Sequence, residues 1–332
     1  MYRKYLSEFG LNIFTSYKVF LPLEKVYDYV DDHIYNIYMI AKSPRVCIEE
    51  NSVVITENKI TLNIIDKKNN FKITTSISFD SNIDHRIINY EVFNNGESIR
   101  LRANENYIRN AFLNSNIDID SRLFVDGEYR IVIEAGLLWF NECYKINRKV
   151  YFDVLYIGQS YSENSNRCAQ VRLKSHSKLQ KILQDFYLER CDERIFAFLF
   201  ELDILNCIDI DGFNKNSISS VEDENLHFNN LMDYEHTNRQ IINIFEAALI
   251  NYFKPKYNIN FIDNFPNNNS KGFSDYFSLD YNLLIVEIDL EFEEALISLR
   301  TDTAEISEQN GIIKYKLYND PKRKNMLDIF SD

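Results

Sequence analysis

Two runs of the chain limit its architecture more than anything else. Lys149–Gly158 (KVYFDVLYIG) and Ile195–Leu202 (IFAFLFEL) are rich in aromatic and β-branched residues. Each is too short for a buried helix and carries no helical periodicity, so each reads as a core strand. Short β-branched runs at Ser52–Thr56, Ile60–Ile65, Phe71–Phe79 and Arg86–Phe93 are divided by Lys-Lys-Asn-Asn and Asn-Asn-Gly-Glu clusters, which predicts an antiparallel meander. Tyr129–Ile133 reads as a further strand after the Asp126-Gly127 turn.

Helical patterns fall between these strands. The stretch LEKVYDYVDDHIYNIYMIAK after Pro22 reads as one helix, Asn104–Phe112 and Arg167–Phe186 as others, and residues 239–253 as a helix that ends before Pro255. Residues 205–238 hold seven acids (Asp209, Asp211, Glu222, Asp223, Glu224, Asp233, Glu235) against Lys215 and read as a long acidic insertion, partly mobile. Residues 265–275 read as a loop, Tyr281–Leu290 and Ile312–Tyr318 as strands, and Glu291–Leu299 as a helix. The terminal Pro321-Lys322-Arg323-Lys324 cluster reads as a solvated end.

At 332 residues the chain is long enough for about two domains without disulfide support. Its 45% hydrophobic and 26% charged residues are those of a soluble globular protein. The five cysteines are widely spaced and form no CxxC pair, so neither a zinc site nor a disulfide framework is expected, in keeping with a reducing cytoplasm. The first ten residues lack an apolar core like that of a signal peptide, and no run is long enough for a membrane span. The net charge of −13 opposes a nucleic-acid partner unless a local basic groove, a protein partner or a metal offsets it.

Three stretches carry chemistry. Tyr156-Ile157-Gly158 closes a strand, with a glycine turn expected there. Arg172 and His176 share one helix face, where a guanidinium can hold a phosphate and an imidazole can donate to it or shuttle a proton. Glu246 lies among Ile242, Ile250 and Phe253 on a helical wheel. A carboxylate in that setting must be paired, protonated or bound to a cation, and a hard ion such as Mg²⁺ is a natural partner.

In this order, and with the ending Glu246-Ala-Ala-Leu-Ile-Asn-Tyr-Phe-Lys-Pro-Lys-Tyr-Asn258, the pattern resembles the GIY-YIG nuclease family over about 130 of the 332 residues. The resemblance implies an α+β fold: a small three-stranded antiparallel sheet with flanking helices over 129–265, including the acidic insertion 205–238. It leaves a β-rich module at 1–128 for substrate or partner recognition and an α/β extension at 266–332. It implies phosphodiester hydrolysis in nucleic acid, DNA rather than RNA, with one Mg²⁺ or Mn²⁺ ion held by Glu246. It gives Tyr156 a role in orienting or activating water, and Arg172 a role in stabilising phosphate charge. His176 sits at a position where many members have a helical histidine, and Arg172, Lys174 and Asn258 are expected nucleic-acid contacts, Asn258 with a structural role as the alternative.

No literal Gly-Ile-Tyr precedes Tyr156. Gly136-Leu137-Leu138 lacks the tyrosine; Tyr144, twelve residues before Tyr156, is the first candidate to replace it and Tyr151 the second. The competing readings are a catalytically inactive binding or regulatory protein of the same fold, and an RNA-directed nuclease active only in a complex. Restriction or anti-phage defence is the setting such a nuclease would suit, and the N-terminal module or acidic insertion is where a protein partner would bind.

Overall fold

A computed structural model describes residues 1–56, 59–78, 87–104, 124–125, 128–161, 172–173, 177–189, 192–210 and 217–328. The chain is mixed α+β and strand-rich. It opens with β1 (Ser7–Pro22), β2 (Ile37–Pro44), β3 (Val46–Ile48), β4 (Val54–Thr56), β5 (Lys59–Asp66) and β6 (Phe71–Ser78). There follow β7 (Ile87–Phe93), β8 (Ser98–Asn104), β9 (Phe124–Val125), β10 (Glu128–Glu134), α1 (Ala135–Lys145) and β11 (Val150–Gln159). Next come α2 (Ser177–Glu189), β12 (Glu193–Ile210), α3 (Val221–Met232), α4 (Asn238–Phe253) and α5 (Ser274–Ser278). The chain closes with β13 (Leu283–Glu287), β14 (Glu291–Phe292), β15 (Ala295–Arg300), β16 (Glu305–Ser307) and β17 (Ile312–Lys316).

A nine-stranded sheet runs β14-β15-β11-β2-β12-β1-β13-β17, with β16 also on β15. Its central trio β11, β2 and β12 is antiparallel throughout, whereas β1–β13 and β11–β15 are parallel. Two four-stranded sheets, one of β3 to β6 and one of β7 to β10, lie in sequence between β2 and β11. This corrects the division at 128/129 and 265/266. The first segment contributes the central strand β2 and, on the far side of β12, β1, and the last contributes β13, β15 and β17, so all three segments share one sheet. The β-rich part of the first segment is an insertion between two adjacent strands.

The expected helix after Pro22 is the largest departure. Only a 3₁₀ turn forms at Leu23–Lys25, and Ile37–Pro44 is a strand whose first five residues are all buried. A strand covered on both faces loses the alternation that would identify it, and its apolar residues then mimic a helical stripe. Glu291–Leu299 is likewise not helical. It is a β14–β15 hairpin turned through Glu293-Glu294, with Glu294 at φ 54°. In the acidic stretch, residues 205–210 continue β12 against β1, and Val221–Met232 forms α3. Ser220 caps α3 by accepting from the Asp223 amide, and Glu222, Asp223 and Glu224 occupy its first turn, where the helix dipole favours negative charge. The basic end is not solvated at Arg323, which is buried and bound to Glu8 (2.6 Å) and Asp280 (2.5 Å). The expected helix at Asn104–Phe112 lies outside the described residues after its first residue.

The core follows the sheet. Phe152, Phe198 and Phe200 are fully buried, each contributing about 1.5–3 kcal/mol by leaving water. Helix α4 covers one face with Ile241, Phe245, Leu249 and Phe253, starts at a Thr237–Gln240 capping box, and ends on a left-handed Lys254 before Pro255. No helix among the described residues is long and apolar enough to cross a membrane.

Candidate active site

The site forms where β11 outruns one of its neighbours. β15 pairs with β11 only from Val150 to Asp153. Beyond that point the edge is closed by the chain after α4. The Tyr257 amide donates to the Leu155 carbonyl at 3.1 Å. The Asn258 side chain accepts from the Ile157 amide at 2.9 Å and donates to the Ile157 carbonyl at 2.8 Å. Asn258 is buried, and its side-chain amide is engaged by this clasp.

A bulge sets the direction of Tyr156. Val150, Phe152 and Val154 point to the face packed against α4, and simple alternation would send Tyr156 there too. The register with β2 slips between Val154 and Tyr156, leaving Leu155 as an extra residue. Leu155 and Tyr156 therefore both join the cluster on the opposite face, with Tyr38, Leu173 and Ile182.

Tyr38 on β2 pairs with Gly158 on β11. A side chain at Gly158 would meet the Tyr38 ring and hydroxyl at 2.5 Å and the Tyr156 ring at 2.8 Å. Gly158 is thus required because two tyrosines close over it, inside a strand and not at the expected turn. The two rings lie 6.2 Å apart. Burial pushes both phenols above the ordinary tyrosine value, and the nearby negative charge of Glu246 pushes in the same direction. Arg172 pulls both back by its positive charge. Arg172 itself is exposed, beside the buried Leu173 that anchors it to the tyrosine cluster.

Glu246 approaches from α4. Its Oε2 accepts from Gln159 Nε2 at 2.7 Å, and the same nitrogen donates to Asn243 Oδ1 at 2.9 Å. Burial pushes its carboxyl up to about 7, against smaller opposing effects of the Gln159 bonds and Arg172. Among the described residues only neutral side chains hydrogen-bond it, and the charge of Arg172 offsets its burial in part, a setting that favours a cation. Among the described residues no group of three or more His, Cys, Asp or Glu could hold a metal. A single carboxylate beside amides and hydroxyls suits Mg²⁺ or Mn²⁺, which keep most of their water and bind through one or two carboxylates plus substrate phosphate.

Of the residues expected from the sequence, Tyr156, Arg172 and Glu246 come together. His176 and Lys174 lie outside the described residues. Tyr144 does not join: it is exposed on α1, which lies against β15 and the inserted strands. Tyr151 is half-exposed at the other end of β11, beneath Arg300. The tyrosine that lies beside Tyr156 is Tyr38, a residue that sequence reasoning does not single out. Its signal is Asn36-Ile37-Tyr38, one residue away from Gly-Ile-Tyr, inside a stretch that reads as helix. Gln159, the partner of Glu246, has no sequence signal of its own. No protein-family model, curated protein or solved structure matches this chain.

Proposed function

We propose that the chain is a divalent-metal-dependent phosphodiesterase of the GIY-YIG type acting on nucleic acid, DNA in the first instance. The observation that carries the reading is the convergence of Tyr38, Tyr156, Arg172 and Glu246 on one end of β11. Two tyrosines on paired antiparallel strands, a helical arginine and a helix-borne glutamate are the set the sequence resemblance calls for, with Asn36-Ile37-Tyr38 supplying its missing first element.

Glu246 would hold the cation, whose chemistry is to neutralise phosphate charge and stabilise the departing oxygen. Arg172 binds the phosphate and stabilises the charge that grows on it as water attacks. The Oη atoms of Tyr38 and Tyr156 orient the attacking water. Both phenols keep their protons in the resting site because burial disfavours the phenolate. The Arg172 charge lowers the proton affinity of Tyr38 Oη, the direction a general base requires. Gln159 fixes the Glu246 carboxylate, and Asn258 fixes the strand that carries Tyr156.

Cleavage of plasmid, single-stranded DNA and RNA with Mg²⁺ or Mn²⁺ tests this. Cutting by the wild type that is lost in both Arg172→Ala and Glu246→Ala is the expected result. Folded protein that cuts none of the three, or cutting that survives both substitutions, would overturn it.

A further inference from the structure

We infer that a basic trough along the edge of β11 and β15 binds a single strand of nucleic acid and leads it to the site; the inference rests on the reading above for what lies at its end. Two cavities, of about 100 and 690 Å³, share Asp153 and Arg300 in their walls and so adjoin. Eight cationic and four anionic side chains line them, a surplus of four positive charges in a chain whose net charge is −13. The larger cavity is bordered by Leu155 and Tyr257, chain neighbours of the catalytic Tyr156 and of Asn258. The smaller one reaches Trp139 of α1 and Asp66 of the inserted strands.

The cations are unevenly committed. Six are paired: Lys42 and Lys68 with Glu193, Lys149 with Glu305, Arg194 with Glu24 and Glu97, Lys254 with Asp263, and Arg300 Nε with Asp153. Arg148 and Lys256, at opposite ends, have no carboxylate partner among the described residues and lie over aromatic rings instead. Arg148 stands 3.7 Å from the Phe71 ring centre and Lys256 5.4 Å from that of Tyr257. Arg300 covers Tyr151 between them at 4.4 Å. Unpaired cations spaced along a groove suit a chain of phosphates, and a guanidinium backed by a ring offers its outer face to a base. An acidic peptide would use the charges without the stacked faces, and rings that back the cations suit the unpaired bases of one strand better than a duplex.

The test reads binding on the Glu246→Ala protein, so that it stands whether or not the site cleaves. The probe is a fluorescent single-stranded DNA of about 20 nucleotides and its duplex, titrated between about 50 and 200 mM salt. The single strand should bind more tightly than the duplex. Arg148→Ala with Lys256→Ala should weaken its binding roughly tenfold and reduce the salt slope by about 1.4, at ~0.7 for each phosphate no longer neutralised. Lys256→Glu alone, at an exposed position, should weaken it without unfolding the chain, and Lys314→Ala with Lys316→Ala on β17 should change nothing. Equal binding by the double variant and its background, or displacement of the strand by polyglutamate at equal charge, would overturn the inference. Hydrolysis of bis(p-nitrophenyl) phosphate by protein with Glu246 intact separates the two readings. Hydrolysis without trough binding leaves the phosphodiesterase standing, and binding without hydrolysis leaves the trough.

Discussion

The two ends of the central strand pair each withdraw a glutamate from water, and they treat it in opposite ways. At the end of β2 nearest the inserted strands, Glu193 is 1% exposed and bound by Lys42 at 3.0 Å and Lys68 at 2.5 Å. Those bonds outweigh burial together and hold its carboxyl below the ordinary range. At the other end, Glu246 meets the neutral amide of Gln159, and burial wins, raising it to about 7. The first is a rivet between the insertion and the main sheet. The second is an unfinished electrostatic arrangement. The two carboxylates thus differ in their partners: paired lysines bond Glu193, whereas Glu246 has a neutral amide and only the charge of Arg172 near it.

The two ends should differ most in activity. Glu246→Ala or Arg172→Ala should lower single-turnover cleavage by at least about 10²–10³-fold, as loss of an electrostatic contributor does, whereas Glu193→Gln should leave the chemical step near its wild-type rate. Tyr38→Phe should cost on the order of 10² in kcat with a smaller change in KM, and Tyr144→Phe should cost nothing measurable. Steady-state kinetics on one oligonucleotide checks both.

Stability reverses the ranking. Glu193→Ala should destabilise the fold by about 2–3 kcal/mol, below the 3–5 of a fully buried pair because Lys42 and Lys68 still reach solvent. Asn258→Ala should cost about 1–3 kcal/mol by orphaning the Ile157 amide and carbonyl. Urea denaturation measures both. The pH dependences have opposite signs. Folded Glu246 holds its proton to a higher pH than the unfolded chain, so the metal-free protein should lose stability relative to Glu246→Gln as pH rises from about 4.5 to about 7. Folded Glu193 holds its proton less tightly, so its contribution is present above about 4.5 and fades as pH falls through its lowered value. Melting temperatures of the two Gln variants against wild type, across pH, give the signs directly.

The end of the molecule with Glu246 is the more legible in sequence. The run Lys149–Gly158 is β11, Ile195–Leu202 lies within β12, and residues 239–253 are α4, because each carries a strong local pattern. Arg172 and Glu246 stand out for the same reason. Tyr38 does not, since β2 is hidden by its own double burial and the 105 residues from Arg45 to Lys149 separate it from its partner β11. Pairing across such a gap leaves no periodic trace. The bulge at Leu155 is equally silent, since it is a slip against β2, and the contacts of the Asn258 clasp arise only where β15 stops short of Leu155.

Binding of Mn²⁺, followed by calorimetry on wild type, Glu246→Gln and Glu193→Gln between pH 6 and 8, tests the contrast most directly. The account predicts one site in wild type, with affinity falling toward tenfold per unit below about pH 7 as Glu246 takes up a proton. It predicts that the site persists in Glu193→Gln and vanishes in Glu246→Gln. Undiminished binding by Glu246→Gln would contradict it.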